Sequence, residues 1–148
     1  MPLALNERIN RKKILLILNW CIKKFGKNKN HKFYPKLIVY RSNGHSHIIK
    51  SKKISAFYGY FDEKNNKIII FIKEHKSIYE LCCTIIHEYK HYLLNDDEYN
   101  IIKNKMIKNN NDIDDIRLNH PHEIKTRKFE LKWGIVCFNE LKYLLYKK

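Results

Sequence analysis

No hydrophobic run in the sequence approaches the roughly 20 apolar residues that a membrane-spanning helix requires. The most apolar stretch near the start, Ile14-Leu15-Leu16-Ile17-Leu18, follows basic residues in the manner of a signal peptide. It is short, has no small-residue cleavage site after it, and continues as the charged CIKKFGKNK. A soluble, cytoplasmic protein without membrane contact is expected. Glycine and proline are scarce, with 4 and 3 residues in a chain of 148. No internal repeat is present, and 44% of residues are hydrophobic, so disorder and fibrous architectures are excluded in favour of a folded chain. The 4 cysteines, Cys21, Cys82, Cys83 and Cys137, show no CxxC spacing. They read as small core residues of a reducing compartment rather than as staples.

Acidic residues are also few. Lys and Arg number 30 against 15 Asp and Glu, a net charge of +15. Such an excess attracts nucleic acid and anionic surfaces. The same chain is rich in Lys, Asn, Ile and Tyr together, residues of A/T-rich codons, and it lacks an Arg-rich groove signature or a nucleic-acid motif. Weak or non-specific nucleic-acid binding is therefore the most the charge predicts, and a DNA-associated role is the secondary reading.

The length is that of one domain, residues 1–148, with a core that needs no staples. Apolar residues from Ile9 to Phe25 recur at three- and four-residue spacings and predict a helix over 6–26, stopped by Gly26. KLIVYRS (36–42), SAFYGYF (55–61) and KIIIFIK (67–73) have strand composition, the last two joined across DEKNN. Ser77 with Glu80 forms a capping box that opens a second helix running to about Leu94. The Asn-rich segment 95–119 reads as a connection containing a short helix. Pro121 suits the first turn of a final helix reaching the C-terminal end, slightly weakened by Gly134. The expected fold class is α+β: an N-terminal helix, a small three-stranded, mainly antiparallel sheet, and two further helices.

The second of these helices contains TIIHEYKHYLL (84–94). Residues four apart on a helix lie one turn above each other, so His87 and His91 can share one Zn²⁺ through their imidazoles. Glu88 stands beside such an ion, where a carboxylate can take a proton from water whose pKa the metal has lowered. Chance produces HExxH occasionally in a chain with 8 His. Here, however, the motif falls on a capped helix that is apolar over much of its circumference, where two imidazoles need partners.

A catalytic zinc site needs a third protein ligand. NHPHE at 119–123 offers Glu123, in the first turn of the last helix, with His122 and His120 as alternatives. A Glu in a first helical turn also complements the helix dipole, so this position alone does not decide the matter. Another arrangement, HExxHxxGxxH, would place Gly and a ligand at Leu94 and Asp97; Leu does not readily take the left-handed turn that Gly allows, which disfavours Asp97.

HEYKH followed about thirty residues later by HPHEIKTRKFE resembles the gluzincin-type zincins. More closely, it is similar to the small zinc metallopeptidases of phages and mobile elements. The likeness rests on these two motifs and extends loosely over 55–133; Lys125 and Thr126 stand where relatives often carry an acidic residue and Ala. The resemblance implies a minimal zincin fold, one zinc ion held by His87, His91 and Glu123, and Glu88 as catalytic base. It also implies a peptide or protein substrate added antiparallel to strand 67–73 at the cleft rim. As a competing reading, the scaffold could serve a DNA-linked protease resembling the SprT-like group, or a non-catalytic binding module. His120, His122, Arg127, Tyr89 and Tyr92 are the candidate donors to a developing oxyanion. His45 and His47 in GHSH, and the isolated His31 and His75, are expected on the surface, and Trp20 and Trp133 in the core. Oligomeric state is not legible.

Overall fold

The computed structural model describes residues 8–41, 48–49, 52–53, 58–94 and 121–146. Helix α1 spans Arg11–Phe25 and begins at a cap, the Asn10 side chain accepting from the Lys13 amide at 2.9 Å. The predicted start at residue 6 was too early, because periodicity does not register a capping side chain. Ile9 before the cap and Ile14 inside the helix enter the same core, the two positions of a hydrophobic staple. Gly26 ends α1 with φ 78°, a left-handed conformation that glycine adopts without steric cost.

The main sheet contains β1 (Lys36–Tyr40), β4 (Gly59–Asp62) and β5 (Lys67–Phe71) in the order β1-β5-β4. A separate antiparallel pair, β2 (Ile48–Ile49) with β3 (Lys52–Lys53), was not anticipated. β5 runs antiparallel to β4 and parallel to β1, with Ile69 opposite both Tyr60 and Ile38. The sheet is thus mixed rather than mainly antiparallel. The reason lies in KIIIF: an unbroken apolar run needs cover on both faces, so β5 takes the centre and separates β1 from its neighbour in sequence. Ile68 and Ile70 face the helical core, while Ile69 and Phe71 face the other side with Ile38 and Tyr60. The apolar run stops at Phe71 as a strand, and Ile72–Glu74 forms a 3₁₀ turn.

Helix α2 spans Ile78–Leu93. The Ser77 hydroxyl accepts from the Glu80 amide at 3.1 Å, as the capping box predicts. The Glu80 carboxylate returns to the Lys76 amide at 2.7 Å, one residue before the cap. His75 is not on the surface: it is buried at 4% exposure, its Nδ1–H donating to the Phe71 carbonyl at 2.9 Å with Nε2 2.9 Å from the Thr84 hydroxyl. Burial lowers its pKa, so the ring is held neutral as a brace between the 3₁₀ turn and α2.

Helix α3 spans Pro121–Leu145, with Pro121 in its first turn as the sequence predicts. α2 packs chiefly against α3, and the pairs Tyr79–Phe138, Cys83–Gly134 and His87–Glu130 show that the two run antiparallel. All four thiols are free; Cys21, Cys82 and Cys137 are buried core residues as expected, whereas Cys83 is only half-buried. Trp20 and Trp133 are half-buried, each edge-on to Phe25, and the Trp20 indole donates to Glu140 across α1 and α3. One core cluster joins residues of all three helices with β4 and β5. The expected short helix within 95–119 and the GHSH turn lie outside the described residues.

Gly134 has a packing reason. A Cβ there would stand 2.6 Å from Cys83 Sγ, so glycine permits the close approach of α2 and α3. Gly134→Ala is expected to destabilise by about 1–3 kcal/mol through overpacking, against the roughly 0.5–1 kcal/mol that Ala gains as a helix former. Cys83→Ala in the same chain should recover most of that loss. Urea denaturation of both single variants and the double variant checks it; additive effects would show that the two positions do not meet.

Candidate metal centre

The fold presents His87, Glu88 and His91 on α2, whose buried stripe of Leu81, Cys82, Ile85, Ile86, Tyr89 and Tyr92 locks the rotation of the helix about its axis. His87 and His91, one turn apart, fall beside this stripe. Their Nε2 atoms are 3.3 Å apart and their ring centroids 5.0 Å. Two nitrogens each about 2.0–2.1 Å from one tetrahedral zinc ion would stand roughly 3.3–3.4 Å apart, so the observed separation fits two ligands of one ion, and it is also within hydrogen-bond reach from one ring to the other.

Glu88 is buried at 7% exposure. Its carboxylate and the two imidazoles each offer an atom within 4.8 Å of the others. That spacing lets one water molecule bridge from the carboxylate to the space beside the imidazoles. Among the described residues this is the one group of three or more metal-ligating side chains. Two imidazoles with a nearby carboxylate suit zinc better than magnesium or calcium, which prefer oxygen donors alone.

The third-ligand candidates meet the structure differently. Glu123 and His122 lie in the first turn of α3, with side chains outside the described residues, and His120 and Asp97 lie outside them entirely. The antiparallel pairing of His87 with Glu130 and of Cys83 with Gly134, continued along both helices, sets Thr126 level with His91. The backbone of Glu123 then comes about one turn further on, at the level of Leu94. Thr126 itself is fully buried.

Sequence reasoning missed Glu130. Its Oε1 is 3.0 Å from Nδ1 of His87, reaching across from α3 with both side chains only partly exposed, at 29% and 21%. An ionised carboxylate only accepts, so the ring nitrogen donates. The pattern that would have found it is antiparallel pairing: with Gly134 opposite Cys83, the residue one turn earlier on α3 falls opposite the residue one turn later on α2.

Two candidate oxyanion donors are removed. The Tyr89 hydroxyl donates to the Gly26 carbonyl and the Tyr92 hydroxyl to the Phe33 carbonyl at 3.1 Å, both on the loop after α1. Burial raises the pKa of each phenol. Arg127 is half-buried on α3 between Glu123 and Glu130. Lys90 lies over the Phe129 ring at 4.6 Å, and burial, then Lys125, lowers its pKa. Cys83 is pushed up to about 11, mainly by burial, and is no nucleophile at neutral pH.

The expectation for strand 67–73 changes. β5 is paired on both sides, so no peptide can add to it; among the described residues the sheet ends at β4 on one side and β1 on the other. No helix among the described residues is long and apolar enough to cross a membrane. Comparison with family models, with curated proteins and with solved structures gives no match.

Proposed function

We propose that this chain is a zinc-dependent metallopeptidase, with His87 and His91 as ligands, Glu123 as the third ligand and Glu88 as general base. The observation that carries this reading is the 3.3 Å separation of the two Nε2 atoms beside a buried carboxylate. The resemblance of HEYKH and HPHE to zincin motifs agrees with this reading.

When bound, zinc supplies a Lewis acid that lowers the pKa of water toward about 7 and polarises a carbonyl. His87 and His91 hold the ion's place by being fixed one turn apart on a helix whose buried stripe prevents rotation. Glu88 accepts a proton from the attacking water at its carboxylate and can return it to the leaving amine. Its low exposure limits competing water. An extended peptide would pair with the sheet at its β4 edge, which takes over the role first expected of β5.

The test is metal content. Wild type is expected to hold one zinc per chain by atomic absorption, with His120→Ala and His122→Ala unchanged and Glu123→Ala depleted. A folded wild type that takes up no zinc on dialysis against it would overturn the reading. Depletion in His120→Ala or His122→Ala with Glu123→Ala unchanged would reassign the third ligand.

A further inference from the structure

We infer that Glu130 is a positioning residue for the metal centre, acting through His87; this rests on the zinc reading above. His87 has two ring nitrogens, and only one tautomer is useful. A zinc ligand needs a lone pair on the nitrogen facing the ion, so the proton must sit on the other nitrogen. Nε2 of His87 faces His91 at 3.3 Å, and Nδ1 faces Glu130 at 3.0 Å. A carboxylate at Nδ1 can be satisfied only by an N–H there, which leaves Nε2 with its lone pair toward His91. Glu130 therefore selects the ligating tautomer and fixes the ring plane before any ion arrives.

The same geometry separates Glu130 from the ligands. Its oxygen approaches the ring edge away from the Nε2 pair, and the group of mutually close ligand atoms comprises His87, Glu88 and His91 without it. Its place depends on helix packing. Gly134, one turn along α3, lets Cys83 and α3 come together, and that approach brings Glu130 within hydrogen-bond distance of α2. The precision of the imidazole is thus supplied by a second helix, not by α2 alone.

Two measurements test this. Zinc affinity, read by competition with a chromophoric chelator, is expected to fall about 10- to 100-fold in Glu130→Ala. The isosteric Glu130→Gln, whose amide oxygen still accepts from Nδ1–H, should lose less. The tautomer of His87, read by ¹⁵N–¹H NMR on the metal-free protein, should be the Nδ1–H form in wild type and a mixture in Glu130→Ala; a purely structural role would not move it. Wild-type affinity in both variants would overturn the inference, as would an unchanged tautomer in Glu130→Ala. Complete loss of zinc in Glu130→Gln would overturn it too, by making Glu130 a ligand. If wild type bound no zinc the metallopeptidase reading would fail separately, and the NMR result would still decide whether Glu130 sets the tautomer.

Discussion

Glu88→Gln is expected to lower hydrolysis of a labelled unfolded protein such as fluorescent casein by about 10²- to 10⁴-fold, the span of general acid–base catalysis. Zinc content and thermal stability should stay at wild-type values. The substitution keeps shape and volume, and a neutral amide in a position only 7% exposed costs no more to bury than the carboxylate it replaces. What it removes is the ability to accept a proton within reach of the His87 and His91 imidazoles. Full activity in a folded Glu88→Gln protein would exclude Glu88 as base. Loss of zinc together with activity would instead make Glu88 a ligand, since its carboxylate lies within 4.8 Å of both imidazoles. Comparing zinc content with rate therefore separates the two roles of one side chain.

The helices were the legible part of the fold. The cap at Ser77, proline at the start of α3 and the apolar spacing of α2 each act within a turn or two of chain, where sequence and structure are directly linked. The true start of α1 turned on a single bond to the Asn10 side chain, to which apolar spacing is blind. Strand composition identified β1, β4 and β5, but not the order β1-β5-β4. That order is set by which strand must be covered on both faces, a property of the whole sheet. The continuous run Ile68-Ile69-Ile70-Phe71 carries the signal for a buried strand, but that signal does not say which neighbours pair on its two sides.

In the site, the two histidines were legible because helical geometry alone brings residues four apart together. Glu130 was not, because its contact with His87 spans 43 positions and depends on how close two helices approach. That distance is governed by Gly134, which looked only like a weak point in a helix. His75 misled for a related reason: an isolated histidine reads as a surface residue until a carbonyl and a hydroxyl are seen to enclose it.

Tyr92→Ala is expected to cost about 3–5 kcal/mol of stability, the range for deleting a large buried aromatic ring. Tyr92→Phe should cost about 1–3 kcal/mol through the hydroxyl alone. Tyr92 is fully buried, packs edge-on to Phe61 and lies against Tyr89. Its hydroxyl accepts from the Asn28 amide at 3.1 Å and donates to the Phe33 carbonyl, while its own carbonyl accepts from the Asn28 side chain at 2.6 Å. Removing the hydroxyl leaves the buried Asn28 amide and the Phe33 carbonyl without that partner. Urea denaturation gives both values, and Leu131→Ala, at a position 71% exposed, serves as a control expected within about 0.5 kcal/mol of wild type. The effect should extend to the metal. Tyr92 follows His91 directly, so these bonds tie the last turn of α2 to the loop after α1 and keep His91 from fraying away from His87. Zinc affinity should accordingly fall in Tyr92→Phe even where the protein remains folded. Wild-type zinc affinity in a destabilised Tyr92→Phe would mean instead that the capped N-terminal part of α2 and the pairing with α3 suffice to hold the two imidazoles together.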